Sequence, residues 1–244
     1  MNYKAVLQYD GTRYRGWQTQ GNTDNTIQSK LETLLTKMAG EPVEVNGSGR
    51  TDAGVHAAGQ VISFRCKTKE SPEEICRYMN EYLPEDIAVL TVEEAAPRFH
   101  ARLNAVRKTY VYRIWNAPVR NVFRRRFTTW IQKPLDLDAM EQAATLLCGT
   151  HDYRAFCSQK KFKKSTVRTI EKIEIGKMGQ EIRISYTGDG FLYHMVRILT
   201  GTLVEVGLGL RKPEEMTEIL EGQDRTKAGR LMPPEGLTLE SVEY

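Results

Sequence analysis

The sequence predicts an α+β protein made of two similar mixed domains, with antiparallel sheets joined side by side around a basic cleft. Three observations support this fold class. Short β-branched and aromatic runs alternate with segments whose apolar residues recur at helical spacing. Both halves of the chain contain such a mixture. The 244 residues, 40% of them hydrophobic, are enough for two sizeable cores. We place the domains at residues 1–104 and 105–244.

Four strands and two helices are predicted in the N-terminal half. The strands are Val6 to Tyr9, Val43 to Val45, Gly59 to Phe64 and Ile87 to Val92. The first helix follows Thr26 and ends at Gly40, because apolar residues between them recur at helical spacing and glycine commonly terminates helices. The second helix begins at Ser71-Pro72-Glu73-Glu74, a capping box with proline in the first helical position, and runs to about Tyr82.

The C-terminal half begins with an aromatic and β-branched strand from Lys108 to Trp115. Two more strands and three helices follow: strands Val167 to Ile175 and Glu181 to Tyr186, and helices Leu137 to Leu147, Phe191 to Val206 and Pro213 to Gly222. The middle helix is predicted to have an apolar stripe opposite a polar face of His194, Arg197, Gly201 and Glu205. On spacing alone, Arg197 is equally well explained as an ordinary solvent-facing arginine.

Positive charge is concentrated in two stretches, although the net charge is only +4. Ala95 to Leu135 contains no acidic residue, ten lysines and arginines, and seven aromatic residues. Tyr153 to Ile170 also lacks acids and carries six cationic side chains. Cations interleaved with aromatic rings suit a nucleic acid, whose phosphates need positive charge and whose bases stack on rings. The alternative is a solvated basic face balanced by acidic residues nearer the C-terminus.

Other classes of protein are disfavoured by what the sequence lacks. The four cysteines and four histidines are scattered without a C-x-x-C pair, so we expect free thiols in a reducing cytosol and no zinc site. No run of about 18 apolar residues could cross a membrane, and the first residues lack the apolar core of a signal peptide. We therefore expect a soluble, cytoplasmic protein without a metal.

The glycine-rich segment from Asn46 to Gln60 is the strongest candidate for a functional site. Four glycines lie between two predicted strands, which indicates a loop that needs unusual backbone angles or close backbone approach. Asp52 lies in this loop, two residues after Arg50. A carboxylate near a cation stays ionised and can act as a nucleophile or base. A plain glycine-rich hairpin and a phosphate-binding loop are the alternatives, but the pattern G-x-x-x-x-G-K is absent.

The segment from Gly47 to Ala57, GSGRTDAGVHA, resembles the signature loop of the tRNA pseudouridine synthase A family, whose members modify uridines 38 to 40 of the anticodon stem-loop. Further segments extend the resemblance over most of the chain: Tyr9 to Gln18, Phe99 to Arg102, Tyr110 to Ile114, Phe191 to Arg197 and Pro233 to Leu237. Tyr14 stands where phenylalanine is common in the family. The positions that the family uses for chemistry show no departure.

The resemblance implies that the protein isomerises uridine to pseudouridine in tRNA without a cofactor. Asp52 matches the family's essential aspartate, which attacks C1′ of the ribose or takes a proton from C2′; the sequence does not separate these. Tyr110 matches the tyrosine that stacks on the target base. Tyr112, which shares its strand face, is then the core candidate. Arg197 matches the arginine that pairs with the aspartate.

The remaining expectations concern contacts with the RNA. Arg50 is placed to contact phosphate or to help flip the nucleotide. Leu237, in a segment that resembles the family's C-terminal half, is expected to bind the substrate. His56 is better explained as a structural loop residue than as an acid or base. Basic residues expected to bind RNA are Arg13, Arg15, Arg124, Arg125, Arg126, Lys160, Lys161, Lys163 and Lys164. The family also implies a homodimer.

Three other functions remain open at this stage. A related synthase could act on another RNA, and a non-catalytic RNA-binding module could retain the fold. A non-catalytic module is disfavoured by the presence of Asp52, Arg50 and Tyr110, because RNA binding alone needs no carboxylate near phosphates. A nucleosidase or glycoside hydrolase also uses carboxylates at C1′, but it typically needs two, and this loop offers one.

Overall fold

The computed structural model describes residues 1–159, 161–162 and 164–244. Residues 1–106 form β1 (Asn2–Tyr9), α1 (Ile27–Ala39), β2 (Val45–Gly47), β3 (His56–Arg65), α2 (Pro72–Tyr82) and β4 (Ile87–Glu94). Residues 107–244 form β5 (Arg107–Asn116), β6 (Thr129–Ile131), α3 (Leu137–Leu146), β7 (Gly149–Asp152), β8 (Val167–Met178), β9 (Glu181–Gly188), α4 (Met195–Gly207), α5 (Glu215–Gly222) and β10 (Leu237–Glu243).

The chain divides into two compact units. One contains Met1–Val106 together with Thr238–Tyr244, and the other contains Arg107–Leu237. The structure therefore places the end of the chain with the first unit. The predicted division at residues 104 and 105 stays a prediction.

The strands of the first unit form the order β4-β1-β3-β10, with β2 also paired to β3. β1 is antiparallel to both of its neighbours, whereas β10 runs parallel to β3 and pairs Thr238 with His56. A Cβ atom at Gly59 would lie 2.5 Å from the carbonyl oxygen of Glu240. The close approach of β10 to β3 therefore requires glycine at this position.

The two helices of the first unit confirm the predictions made from their caps. The Thr26 side chain accepts a hydrogen bond from the Ser29 amide, and Gly40 ends α1 with φ of +70°. At α2, the Ser71 side chain accepts from the Glu74 amide and the Glu74 side chain accepts from the Ser71 amide. This is the predicted capping box.

The strands of the second unit form the antiparallel order β5-β9-β8-β7, and β6 pairs parallel with β5. α3 packs against β8 and α4, and α4 also contacts β5. The predicted α+β class, with mostly antiparallel strands, is confirmed. Among the described residues, no helix has the length and apolar character needed to cross a membrane.

Several predicted boundaries were wrong. β1 begins at Asn2 and β8 continues to Met178, beyond their predicted ends, and β2 lies at Val45–Gly47. β6, β7 and β10 were not predicted, because strands this short or this polar are stabilised by distant pairing partners rather than by a local pattern. α4 begins at Met195 rather than Phe191, because His194 has a left-handed backbone with φ of +66°.

Candidate active site

Asp52 lies in the loop between β2 and β3, with a half-buried side chain. The loop turns directly behind it, because the Val55 amide donates a 3.1 Å hydrogen bond to the Asp52 carbonyl. Gly54, within this turn, has φ of +79°, a conformation that favours glycine. The carboxylate is therefore carried by a short, closed turn at the start of a sheet strand.

The N-terminal loop from Asp10 to Gln18 packs against this turn through its backbone. The Trp17 amide donates to the Thr51 carbonyl at 3.0 Å. Gly16 has φ of +95°, and a Cβ atom there would lie 2.9 Å from the Thr51 carbonyl oxygen and 3.2 Å from the Ala53 nitrogen. Only glycine allows the backbone to come this close to the residues on both sides of Asp52.

His56 connects the same two loops and is 2% exposed. Its Nδ1 accepts a 3.1 Å hydrogen bond from the Gly11 amide and lies 3.2 Å from a carboxylate oxygen of Asp10. A Cβ atom at Gly11 would lie 1.9 Å from the Val55 carbonyl oxygen, so the contact again depends on glycine. These contacts support a structural role for His56.

The predicted cations of the first unit differ in what they contact. Arg50, two residues before Asp52, is exposed, and so is Arg15. Arg13 donates to Asp86 through Nε at 2.9 Å and through a terminal nitrogen at 2.7 Å. Sequence inspection missed Asp86, which also accepts from the Tyr14 hydroxyl at 2.5 Å. The ion pair fixes Arg13, whose side chain nevertheless stays 63% exposed.

Tyr110 and Tyr112 have different surroundings in β5. Tyr110 is 8% exposed and meets the ring of Phe191 edge to face, with centroids 5.2 Å apart. Tyr112 is completely buried, and burial raises the pKa of its hydroxyl. Its hydroxyl donates to the Pro233 carbonyl at 2.7 Å and lies 2.6 Å from the Thr129 hydroxyl. Tyr112 therefore has the contacts of a core residue.

Arg197 is 8% exposed in α4, so its interpretation as a solvent-facing arginine was wrong. Its Nε donates to the Met232 carbonyl at 2.7 Å. In return, the Met232 amide donates to the Arg197 carbonyl at 3.3 Å. Sequence inspection gave no signal for Met232. Tyr112 and Arg197 thus bind the adjacent carbonyls of Pro233 and Met232, which anchors the proline-rich segment within the second unit.

The face of α4 that carries Arg197, Gly201 and Glu205 is likewise covered by another segment of the chain. A Cβ atom at Gly201 would lie 1.9 Å from the Arg230 carbonyl oxygen, and the Gly229 amide donates to the Thr202 hydroxyl at 2.9 Å. The segment from Ala228 to Met232 therefore covers this face of the helix. Helical spacing shows which residues share a face, but it does not show which remote segment lies on that face.

The predicted cations of the second unit lie mainly on its surface. Arg126, Lys161 and Lys164 are exposed, and Arg125 donates to the Val122 carbonyl at 2.8 Å. Arg124 forms an ion pair with Glu181, which is 2% exposed and also accepts from Arg183 at 2.6 Å. Glu181 was missed because nothing local marks a buried carboxylate at a strand start. Lys160 and Lys163 lie outside the described residues.

Leu237 is the first residue of β10 and is 5% exposed. In the part of the chain that the structure describes, no group of three histidine, cysteine, aspartate or glutamate side chains could hold a metal ion. The four cysteines are free thiols. Asp52 offers the chemistry of a carboxylate on a tightly supported loop.

Comparison with known proteins identifies similar sequences over the whole chain. The family model described as tRNA pseudouridine synthase matches residues 5–104 and 143–244. The tRNA pseudouridine synthase A of Bacillus sp. strain KSM-64 is 48% identical over 243 residues, covering 100% of this chain and 99% of the relative. The protein of the same name from Brevibacillus brevis is 46% identical over 241 residues, covering 99% of this chain and 98% of the relative.

Proposed function

Since the chain belongs to the tRNA pseudouridine synthase family, we propose that it isomerises uridine at positions 38, 39 and 40 of the anticodon stem-loop. The observation that carries this proposal is the loop of Asp52, which presents one carboxylate on a turn held by the N-terminal loop. Gly16 and Trp17 contact the residue before Asp52 through the backbone. A carboxylate held in this way can be aimed at a sugar carbon without first being ordered.

The reaction breaks the N1–C1′ bond, turns the base and forms a C5–C1′ bond. C5 then loses its proton and N1 gains one, so substrate and product are isomers. Asp52 assists either by attacking C1′ or by removing the C2′ proton. No electrons are gained or lost overall, and we propose that the reaction needs no cofactor.

We assign the other site residues from the family resemblance. Tyr110 stacks on the target base, and its edge-to-face contact with Phe191 supports this by fixing the ring. Arg197 pairs with Asp52, and the bond from its Nε to Met232 supports a fixed orientation. Arg50 contacts phosphate or the flipped nucleotide, consistent with its exposure. Leu237 contacts the substrate.

We further propose that phosphates of the tRNA bind cationic side chains of both units. These are Arg13, Arg15, Arg124, Arg125, Arg126, Lys160, Lys161, Lys163 and Lys164. Cations on the surface neutralise phosphates and release counterions, which supplies affinity without reading the sequence. The tRNA-modifying bacterial relatives support a cytoplasmic location.

We also propose a homodimer. The support is a surface beside Trp115 on which Val119, Val122 and Phe123 are 75%, 57% and 93% exposed. These residues border a cavity of about 430 Å³ that Pro118 and Trp115 also line. Arg120, Asn121 and Gln180 add polar groups to this lining. A protruding ring beside a mainly apolar cavity suits a twofold contact, because the same surface can supply both parts of the fit.

The test of the proposed function is pseudouridine mapping on unmodified tRNA transcripts incubated with the purified protein and no added cofactor. The expected result is new pseudouridine at positions 38, 39 or 40. Modification only at other positions would indicate a related synthase with another target. Release of free uracil would indicate a nucleosidase instead.

A further inference from the structure

Gln60 lies on β3, in the strand that follows the Asp52 loop, and its side chain is completely inaccessible to solvent. Glutamine is mostly an exposed residue, because a buried carboxamide loses hydrogen bonds to water unless the protein replaces them. Its amide has two donor hydrogens and an acceptor oxygen. The partners of this group therefore indicate why a glutamine occurs here.

Those partners lie at the start of the Asp52 loop. The Oε1 atom of Gln60 accepts a 2.6 Å hydrogen bond from the Ser48 hydroxyl. Its Nε2 donates to the Gly49 carbonyl at 3.0 Å and to the Tyr9 hydroxyl at 3.4 Å. One side chain thus connects β3 to two consecutive loop residues and to β1.

Tyr9 extends this network to the residue before Asp52. Its hydroxyl lies 2.8 Å from the hydroxyl of Thr51, and both residues are buried. Burial raises the pKa of Tyr9 to about 12, and the protonated phenol can donate a hydrogen bond at neutral pH. Gln60 and Tyr9 together contact Ser48, Gly49 and Thr51.

The loop needs such anchors because of its glycines. Gly49 permits many backbone conformations, and ordering it costs more entropy than ordering other residues. Side-chain bonds to Ser48, Gly49 and Thr51 restrict the loop just before the carboxylate. A displacement of about 1 Å at a reacting group can lower the rate about a hundredfold.

We propose that Gln60 is a positioning residue, which fixes the Asp52 carboxylate through Ser48, Gly49, Tyr9 and Thr51. The inference rests on the proposed function of Asp52. Gln60 contacts the loop backbone and its neighbours, and its role is to limit where Asp52 can lie.

The experiment compares Gln60→Met with a matched control, Ser63→Ala, in the full-length protein. Methionine keeps the length of the side chain and removes its hydrogen bonds. Ser63 is a buried polar residue of the same strand, and its hydroxyl accepts from the Ala101 amide at 3.0 Å, away from the loop. kcat, KM, tRNA affinity and thermal melting are measured well below both melting temperatures.

We expect Gln60→Met to lower kcat about 10- to 100-fold with KM and tRNA Kd within about threefold of the parent. Ser63→Ala should keep its kcat. Tyr9→Phe, which retains the ring and loses the contacts of the hydroxyl with Thr51 and Gln60, should lower kcat less and in the same direction. This milder variant keeps the proposal testable if Gln60→Met does not fold.

A folded Gln60→Met enzyme with unchanged kcat overturns the proposal, as does a kcat loss equal to that of Ser63→Ala. A parent enzyme that makes no pseudouridine would instead overturn the proposed function. The two failures are therefore distinguishable.

Discussion

The hydroxyl of Tyr112 donates a 2.7 Å hydrogen bond to the carbonyl of Pro233. Since that hydroxyl donates to Pro233, the hydroxyl of Thr129, 2.6 Å away, donates to it. Tyr112 therefore satisfies two buried polar groups at once, and its replacement leaves both without their partner.

Tyr112→Phe is expected to lower the free energy of unfolding by about 1–3 kcal/mol, the cost of leaving buried polar groups unsatisfied. Tyr110→Phe keeps the ring that stacks and contacts Phe191, so its melting temperature and tRNA affinity should change little. Thermal melting of both variants measures the change in stability, and turnover shows which tyrosine matters for activity. A stable but inactive Tyr112→Phe enzyme, beside a fully active Tyr110→Phe enzyme, would reverse the roles of the two tyrosines.

Asp52→Asn is expected to abolish isomerisation and to leave tRNA binding largely intact. The change is nearly isosteric but removes the nucleophile or base, together with a negative charge that would repel phosphates. Turnover and Kd are measured on one transcript. Pseudouridine formation at a sizeable fraction of the parent rate would contradict the proposed mechanism.

Gly16→Ala is expected to destabilise the protein and to lower turnover. A left-handed backbone costs a non-glycine residue about 1–2 kcal/mol, and the added Cβ would lie 2.9 Å from the Thr51 carbonyl oxygen. Gly21→Ala is the matched control, because nothing lies within 4 Å of the added atom. Equal melting temperatures and rates for the two variants would show that the close approach of Gly16 is unimportant.

The affinity for tRNA is expected to fall with salt, with a log–log slope of about 0.7 to 0.9 for each phosphate contact. Arg126→Ala should flatten this slope by about one contact without changing which uridine is modified. Lys172→Ala serves as the control, because Lys172 is 57% exposed and pairs with Glu174 outside the predicted contacts. Binding curves at several salt concentrations measure the slope for each variant. An unchanged slope would assign Arg126 to the solvated surface.

Phe123→Ser is expected to weaken the proposed dimer by about 2 kcal/mol or more, because exposed aromatic side chains dominate the energy of such contacts. Leu210→Ser is the control, since Leu210 is 71% exposed and lies away from the Trp115 cavity. Light scattering over a dilution series measures the association. A monomeric parent protein would rule the dimer out, and an unaffected dimer would place the interface elsewhere.

The sequence predicted best those features whose cause is local. The caps at Thr26 and Ser71 and the terminator Gly40 act within a few residues, so α1 and α2 could be predicted from short segments. The Asp52 loop was found from its glycines and its resemblance to a family. The support of that loop was not predicted, because the hydrogen bonds of Gln60 and the close approach of Gly16 to Thr51 depend on how the folded chain places these residues.

The surroundings of the cationic residues show most clearly what cannot be predicted from the sequence. Arg197 was open to interpretation as a surface residue, yet Met232 lies 35 positions away in sequence and buries it. Glu181 lies 57 positions after Arg124 and pairs with it. Partners so far apart become neighbours only through tertiary folding, which a pattern of charges or a helical repeat does not describe.

Because β10 pairs with β3, the sheet of the first unit can be completed only at the end of translation. His56 begins the strand that follows Asp52, and its partner Thr238 is synthesised more than 180 residues later. The ribosome must therefore translate the whole second unit before the sheet that carries Asp52 can gain its final strand. Until then, β3 lacks its partner at His56 and Ala57, the residues that directly follow the loop carrying Asp52.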